Sequence, residues 1–261
     1  MQLDLAGRHA LVCGGSAGIG RAAALELASL GANVTVLARS AEVLRQAVAA
    51  LPCSGAQQHG FVVADVAQTD ALGRTVAALV AKRPVQILIN NTGGPPGGAA
   101  HSADAAAYLD AFGKHLIASH MLLQAVLPGM RAAQWGRLVN VVSTSVKEPI
   151  ANLGVSNTIR GAVASWAKTL SRELGGDGIT VNNVLPGYTR TQRLDQILAD
   201  RSAASGQATE QVAASMLAGV PAGRFAEAAE IGGVIAFLCT DAAAYINGVS
   251  LAVDGGRMQS I

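Results

Sequence analysis

The sequence predicts an α/β fold: a doubly wound parallel sheet of about seven strands, helices on both faces, built as one domain over residues 1–261. Three observations predict it. Short β-branched runs alternate with segments rich in Ala, Leu, Glu and Arg, which is the rhythm of strand-helix-strand units. Apolar residues make up 51% of the chain and charged residues only 14%, as a sheet covered on both faces requires. No charge block, repeat or composition shift divides the chain, and 261 residues suffice for one large core.

The strands read, in order, as "HALVC", "NVTVLA", "FVVA", "VQILIN", "RLVNVV", "ITVNNV" and "SLAVD". Helix ends before the second and sixth strands are marked by Gly31 and by Gly175-Gly176, where left-handed caps are expected. Between the fourth and fifth strands a helical stretch from Asp104 to Arg131 carries apolar residues at Tyr108, Phe112, Leu116, Leu123 and Leu127, with Leu109, Ile117 and Met121 adjoining. A face this wide is read as covering both the sheet and a partner helix, hence a homo-oligomer, dimer or tetramer. Two stretches break the rhythm: "NTGGPPGGAA" (91–100) and the polar "DRSAASGQATEQ" (200–211), inside an excursion at about 192–224. They read as pocket walls or lids; for the second, a surface loop without a role is the alternative.

The formal charge of +2 is near neutral, its Lys and Arg residues are scattered, and aromatics are 3% of the chain. Nucleic acid and anionic membranes are therefore not expected partners. Absence of a basic, apolar leader in "MQLDLAGRHALVCGG" and of any membrane-length apolar run leads to the expectation of a cytoplasmic protein. Cys13, Cys53 and Cys239 have no Cys-x-x-Cys spacing and read as small buried apolar residues; the five histidines offer no helical ligand pair, so no metal is assigned.

"CGGSAGIGRAAALELA" places Gly14, Gly15, Gly18 and Gly20 between the first strand and a helix. A strand, a Gly turn and a helix in that order let backbone approach a pyrophosphate at the helix N-terminus; a structural tight turn is the alternative. The spacing Gly-x-x-x-Gly-x-Gly resembles the short-chain dehydrogenase/reductase family. The resemblance continues through Asp65-Val66, "NNTG" at 90–93, Ser143, "PGYTRT" at 186–191, "GRF" at 223–225, "FLCTD" at 237–241 and "VDGG" at 253–256. It implies a Rossmann-type sheet of order 3-2-1-4-5-6-7 and a nicotinamide cofactor.

By that resemblance Asp65 bonds the adenine amine, Val66 packs on the ring, Asn90 braces the fourth strand and Thr191 holds the carboxamide. Ser16, Ile19, Asn91, Gly93, Pro186 and Gly187 join Gly14, Gly18 and Gly20 around the cofactor. An acid at the end of the second strand would select NAD(H) in the family; here "VLARS" offers Arg39 instead. Arg39 suits the extra phosphate of NADP(H), which is favoured, with NAD(H) the alternative and a water-facing Arg39 the bland one.

The family's proton chemistry uses a Tyr, a Lys four residues later, a Ser and an Asn. Counting from the flanking motifs puts Ser156 at the Tyr position and Arg160 at the Lys position, keeps Ser143 as the Ser, and aligns His115 with the Asn. A serine hydroxyl is shorter and a far weaker acid than a phenol of pKa about 10. Arg160 can donate to ribose or to an anionic substrate, but with a pKa above about 12 it cannot tune a neighbour by releasing its proton. Losing a general acid costs about 10²- to 10⁴-fold, against effective molarities of about 10⁵ to 10⁸ M for positioning, so slow hydride exchange is compatible with these residues. A water, His115 and Tyr188 are the alternative proton sources; the bland readings are a packed helix residue for His115, a pocket aromatic without proton chemistry for Tyr188 and a strand-end residue for Ser143.

Three functions follow. The first is an NADP(H)-dependent oxidoreductase exchanging hydride with a small carbonyl or alcohol substrate, resembling the 3-oxoacyl-carrier-protein reductase branch. The second is an NADP(H)-binding sensor or structural partner with little or no turnover. A third has Arg160 holding a carboxylate or phosphate for different chemistry.

Overall fold

The computed structural model describes residues 2–260. β1 (His9–Cys13), β2 (Asn33–Ala38), β3 (Gly60–Val63), β4 (Ile87–Asn90), β5 (Gly136–Val141), β6 (Ile179–Pro186) and β7 (Ser250–Val253) form one parallel sheet of order β3-β2-β1-β4-β5-β6-β7. The expected fold and strand order are thus observed. The chain leaves β1 toward β2 on one side and returns to β4 on the other, so a crevice opens at their carboxyl ends.

Alternation along each central strand assigns side chains to the two faces. Ala10, Val12, Ile87, Ile89, Val139, Val141 and Val184 join the cluster beneath α1 (Gly18–Ser29), α2 (Ala41–Ala49) and α9 (Ala228–Leu238). Leu11, Cys13, Leu88, Leu138, Ile179 and Val181 join that beneath α3 (Thr69–Lys82), α5 (Ala118–Ala132) and α6 (Gly154–Leu174). With both sides apolar, these strands read as near-continuous hydrophobic runs.

One polar row crosses this apolar sheet. Asn90, Asn140 and Asn183 are register partners, and Asn183 is paired with Ser250. Asn90 Nδ2 donates to Asn140 Oδ1 at 2.9 Å, Asn140 Nδ2 to Asn183 Oδ1 at 3.0 Å, and Asn183 Nδ2 to Ser250 Oγ at 3.1 Å. The row ties four strands together just below the crevice.

Several expectations are corrected. The left-handed residue before β6 is Gly178 (φ +72°), not Gly175-Gly176, because a Cβ there would overlap the Gln134 carbonyl. Cys53 is exposed, unlike Cys13 and Cys239. The excursion is not a polar loop: α7 (Gln192–Ser205) ends at left-handed Gly206, and α8 (Thr209–Leu217) follows. Leu194, Leu198, Val212 and Met216, each pair four apart, meet Phe225 in a small core of their own.

The stretch from Asp104 to Arg131 is interrupted by a π turn, Gly113–Ile117, between α4 (Ala105–Phe112) and α5. Beyond the turn Leu122, Leu123, Val126 and Met130 are buried, whereas before it Leu109 is 74% exposed and Phe112 is exposed as well. No described helix is long and apolar enough to cross a membrane.

The asparagine row predicts the cost of breaking it. Asn140→Ala leaves two buried amide groups without a partner and is expected to destabilise the protein by roughly 1–3 kcal/mol for each. Urea unfolding followed by circular dichroism measures it; a loss below about 0.5 kcal/mol, the range of surface substitutions, would show that the row is not a stabilising element.

Candidate active site

The Gly-rich turn is built by contact. A Cβ on Gly20 would overlap the Gly14 carbonyl, and one on Gly14, at φ +60°, would lie 2.6 Å from the Asn91 carbonyl. Asn91 Nδ2 donates to Cys13 O and Gly14 O at 3.4 and 3.5 Å, linking the turn to the segment after β4. Gly14 and Gly20 therefore shape the turn rather than line the cleft, whereas Gly18 and Ile19 line it. Thr191 Cγ2 would stand 3.2 Å from a Cβ at Gly18, so the segment after β6 closes over the start of α1.

These features fit a dinucleotide. Ala17 caps α1 without any side-chain hydrogen bond, and the first turn carries no acid, so its amides remain available to an anion. Arg39 follows β2, exposed and in no ion pair among the described residues. Asp65 Oδ1 accepts the Ala67 N–H at 2.9 Å, and Val66 is partly buried against the second core cluster. Ser16 is half-buried within the turn. Ser16, Arg39, Asp65 and Val66 lie outside the cleft lining.

The crevice holds a cleft of about 420 Å³. Its lining runs from Gly18 and Ile19 past Asn91, Gly93, Pro186, Gly187 and Thr191 to Ser143, Ser156 and Arg160. The two ends of the expected site are thus one continuous space.

Ser143 stands just beyond β5, where its Oγ accepts the Ser145 N–H at 3.1 Å. That bond orients the hydroxyl and leaves its own proton free to donate. Ser156 is in the first turn of α6, 8% exposed, and Arg160 follows one turn later on the same face. Arg160 Nη1 donates to Val141 O at 2.8 Å, while its buried Nε has no partner. Burial, together with Arg193, pulls its pKa down to about 10.

His115 lies in the π turn, buried and outside the cleft lining, and meets the cleft through Thr92: Thr92 Oγ1 and His115 Nδ1 are hydrogen-bonded at 2.7 Å. Burial, then Arg160 and Lys114, push its pKa down to about 3, far below the value of 6.5 that made it a candidate acid. Tyr188 lines the cleft between an edge-on Phe225 and the Arg257 guanidinium, 4.8 Å from its ring centroid, as a packed pocket aromatic.

A profile of the family described as enoyl-(acyl carrier protein) reductase matches residues 14–257. The chain belongs to the short-chain dehydrogenase/reductase family. Within it, the chain is 33% identical over 99% of its length to the 3-oxoacyl-(acyl-carrier-protein) reductase FabG of Pseudomonas aeruginosa, all of which is covered. It is 34% identical to the granaticin polyketide synthase putative ketoacyl reductase 1 of Streptomyces violaceoruber, covering 95% of this chain and 92% of that one. L-sorbose reductase from Gluconobacter frateurii, solved with NADPH and L-sorbose, superposes with a TM-score of 0.93 at 26% identity over the whole of both chains.

Sequence reading missed Thr92, Leu153 and Arg193 in the cleft wall. Thr92 lies inside "NNTG", but its bond to His115 joins residues 23 apart. Arg193 is in the first turn of α7, a helix hidden by the polar composition of the excursion.

The buried histidines predict an acid limit. Folded His115 and His9 bind a proton only near about 3 and about 4, whereas an unfolded imidazole does so near 6.5. Their contribution is therefore complete above about pH 6.5 and is lost as pH falls toward the folded values. Unfolding free energy measured between pH 7 and 4 should decline, and His115→Asn should make the decline shallower; an identical slope would contradict the burial of a neutral His115.

Proposed function

We propose that this single-domain protein is an NADP(H)-dependent oxidoreductase that exchanges hydride with a small carbonyl or alcohol substrate. The observation that carries this reading is the continuity of the cleft from Gly18 and Ile19 at the start of α1 to Ser143 and Ser156. The NADPH-containing solved relative supports the choice of cofactor.

The pyrophosphate would lie on the uncapped amides of α1, with Gly14 and Gly20 keeping the turn tight. Arg39 would pair with the extra ribose phosphate, and Asp65 and Val66 would hold the adenine. Asn91, Gly93, Pro186, Gly187 and Thr191 would confine the nicotinamide end. When bound, the nicotinamide supplies or accepts the hydride. Ser143 donates a hydrogen bond from its free hydroxyl to the substrate oxygen, Ser156 offers a second hydroxyl, and the proton that accompanies the hydride is exchanged with solvent water. Arg160 supplies fixed positive charge where negative charge develops on that oxygen. His115, held neutral, contributes position through Thr92 rather than a ready proton.

A second reading, a cofactor-binding sensor or partner with little turnover, is favoured by one observation. The group with the most suitable ordinary pKa, His115, is buried and held near 3. The expected homo-oligomer is supported by Leu109 and Phe112, exposed on α4; a monomeric mass at micromolar concentration would count against it.

Fluorescence titration should show NADPH binding more tightly than NADH, and Arg39→Asp should reverse that order by about tenfold or more, the scale of a charge-assisted contact. Ser143→Ala should lower carbonyl-dependent NADPH oxidation severalfold. Tight NADPH binding with no oxidation across a broad carbonyl panel would leave the sensor reading standing instead.

A further inference from the structure

Two side chains that line the cleft are charged, Arg160 and Arg193, and among the described residues no acidic side chain lines it. They come from different elements, α6 and the first turn of α7, and converge on one segment of the wall. Arg160 Nη2 would lie 3.4 Å from a Cβ at Gly94, and Arg193 Nη2 donates to Pro95 O at 3.1 Å. None of the ion pairs among the described residues includes either one.

The burial of Arg160 sharpens the question. It is 9% exposed, its Nη1 holds the Val141 carbonyl, and its Nε has no partner. A buried guanidinium without a counter-ion is costly, and folded chains ordinarily neutralise one with a carboxylate. Here the charged neighbour that acts on it is another cation, Arg193, which raises the cost. Ser156 shares the face of α6 with Arg160, so an anion held by the two cations would carry its carbonyl end toward the hydroxyl groups. The start of α1, which suits a pyrophosphate, provides its own uncapped amides.

Resting on the oxidoreductase reading, we propose that the substrate is a carbonyl compound bearing an oxyanion, a carboxylate or a phosphate, which Arg160 and Arg193 bind jointly at residues 94–95. The anion is then the counter-charge that the chain omits, and the planar guanidinium forks are suited to either group.

Two matched pairs test this by ligand-observed NMR titration of the full chain, with and without saturating NADP⁺ so that no turnover occurs: levulinate against its methyl ester, and dihydroxyacetone phosphate against dihydroxyacetone. Binding of the anionic member at least about tenfold more tightly in either pair is expected, and the preferring pair tells carboxylate from phosphate. Arg193→Gln, at an exposed position, and Arg160→Met should each shrink that preference severalfold, as should raised salt. Equal affinity within both pairs overturns the proposal. So does an Arg193→Gln variant that loses NADP⁺ affinity while keeping the anion preference, since that outcome assigns the cation to the cofactor. Failure of NADP⁺ to bind would instead overturn the cofactor reading, while the comparison on ligand-free protein still decides the anion question.

Discussion

The contact on which the site depends is the one between the Gly14 carbonyl and the Cα of Gly20, with the Asn91 amide reaching over both. It forces the chain out of β1 into a turn so tight that α1 begins almost on top of it. Because the same turn touches the segment after β4, two walls of the crevice are fixed by one close approach. Any Cβ at Gly20 would push the first helical amides away from the cleft, which makes this a constraint on backbone position rather than on side-chain chemistry.

The sheet supplies the rigidity behind that turn. Most of its central side chains are aliphatic, and hydrophobic burial alone would tolerate small shifts between strands. The row from Asn90 through Asn140 and Asn183 to Ser250 does not, because its three side-chain bonds form only in one register. Those strands end at Asn90, Val141 and Pro186, one or two residues before Asn91, Ser143 and Gly187, so the polar row sets the relative heights of the residues around the cleft. The α7–α8 excursion, by contrast, carries its own small core and meets the cleft as a separately packed wall.

Electrostatics then divides the cleft into unlike ends. At the start of α1, positive potential comes from backbone amides and follows from helix geometry. At residues 94–95 it comes from two guanidinium groups, one of them buried. The second source also acts on its surroundings: together with burial, Arg160 keeps His115 neutral. The Arg160 guanidinium therefore bears both on what the cleft can bind and on the protonation of its neighbour.

Fold class and the Gly-rich turn were legible in the sequence because they depend on local period and on glycine spacing, both of which are one-dimensional signals, whereas the strand order was legible only through the family resemblance that the ordered motifs carry. Ser143, Ser156 and Arg160 were legible as candidates through their distance from recognisable flanks. Tertiary structure alone decided what those residues do to one another. His115 is buried within the π turn, Leu109 is left in solvent on α4, and the excursion hidden as a polar stretch folds into two helices, the first of which carries Arg193 to the cleft. It also decided that Arg160 would be buried without a counter-ion. Burial and charge pairing arise from segments distant along the chain meeting in space, and no local pattern encodes which of them will meet.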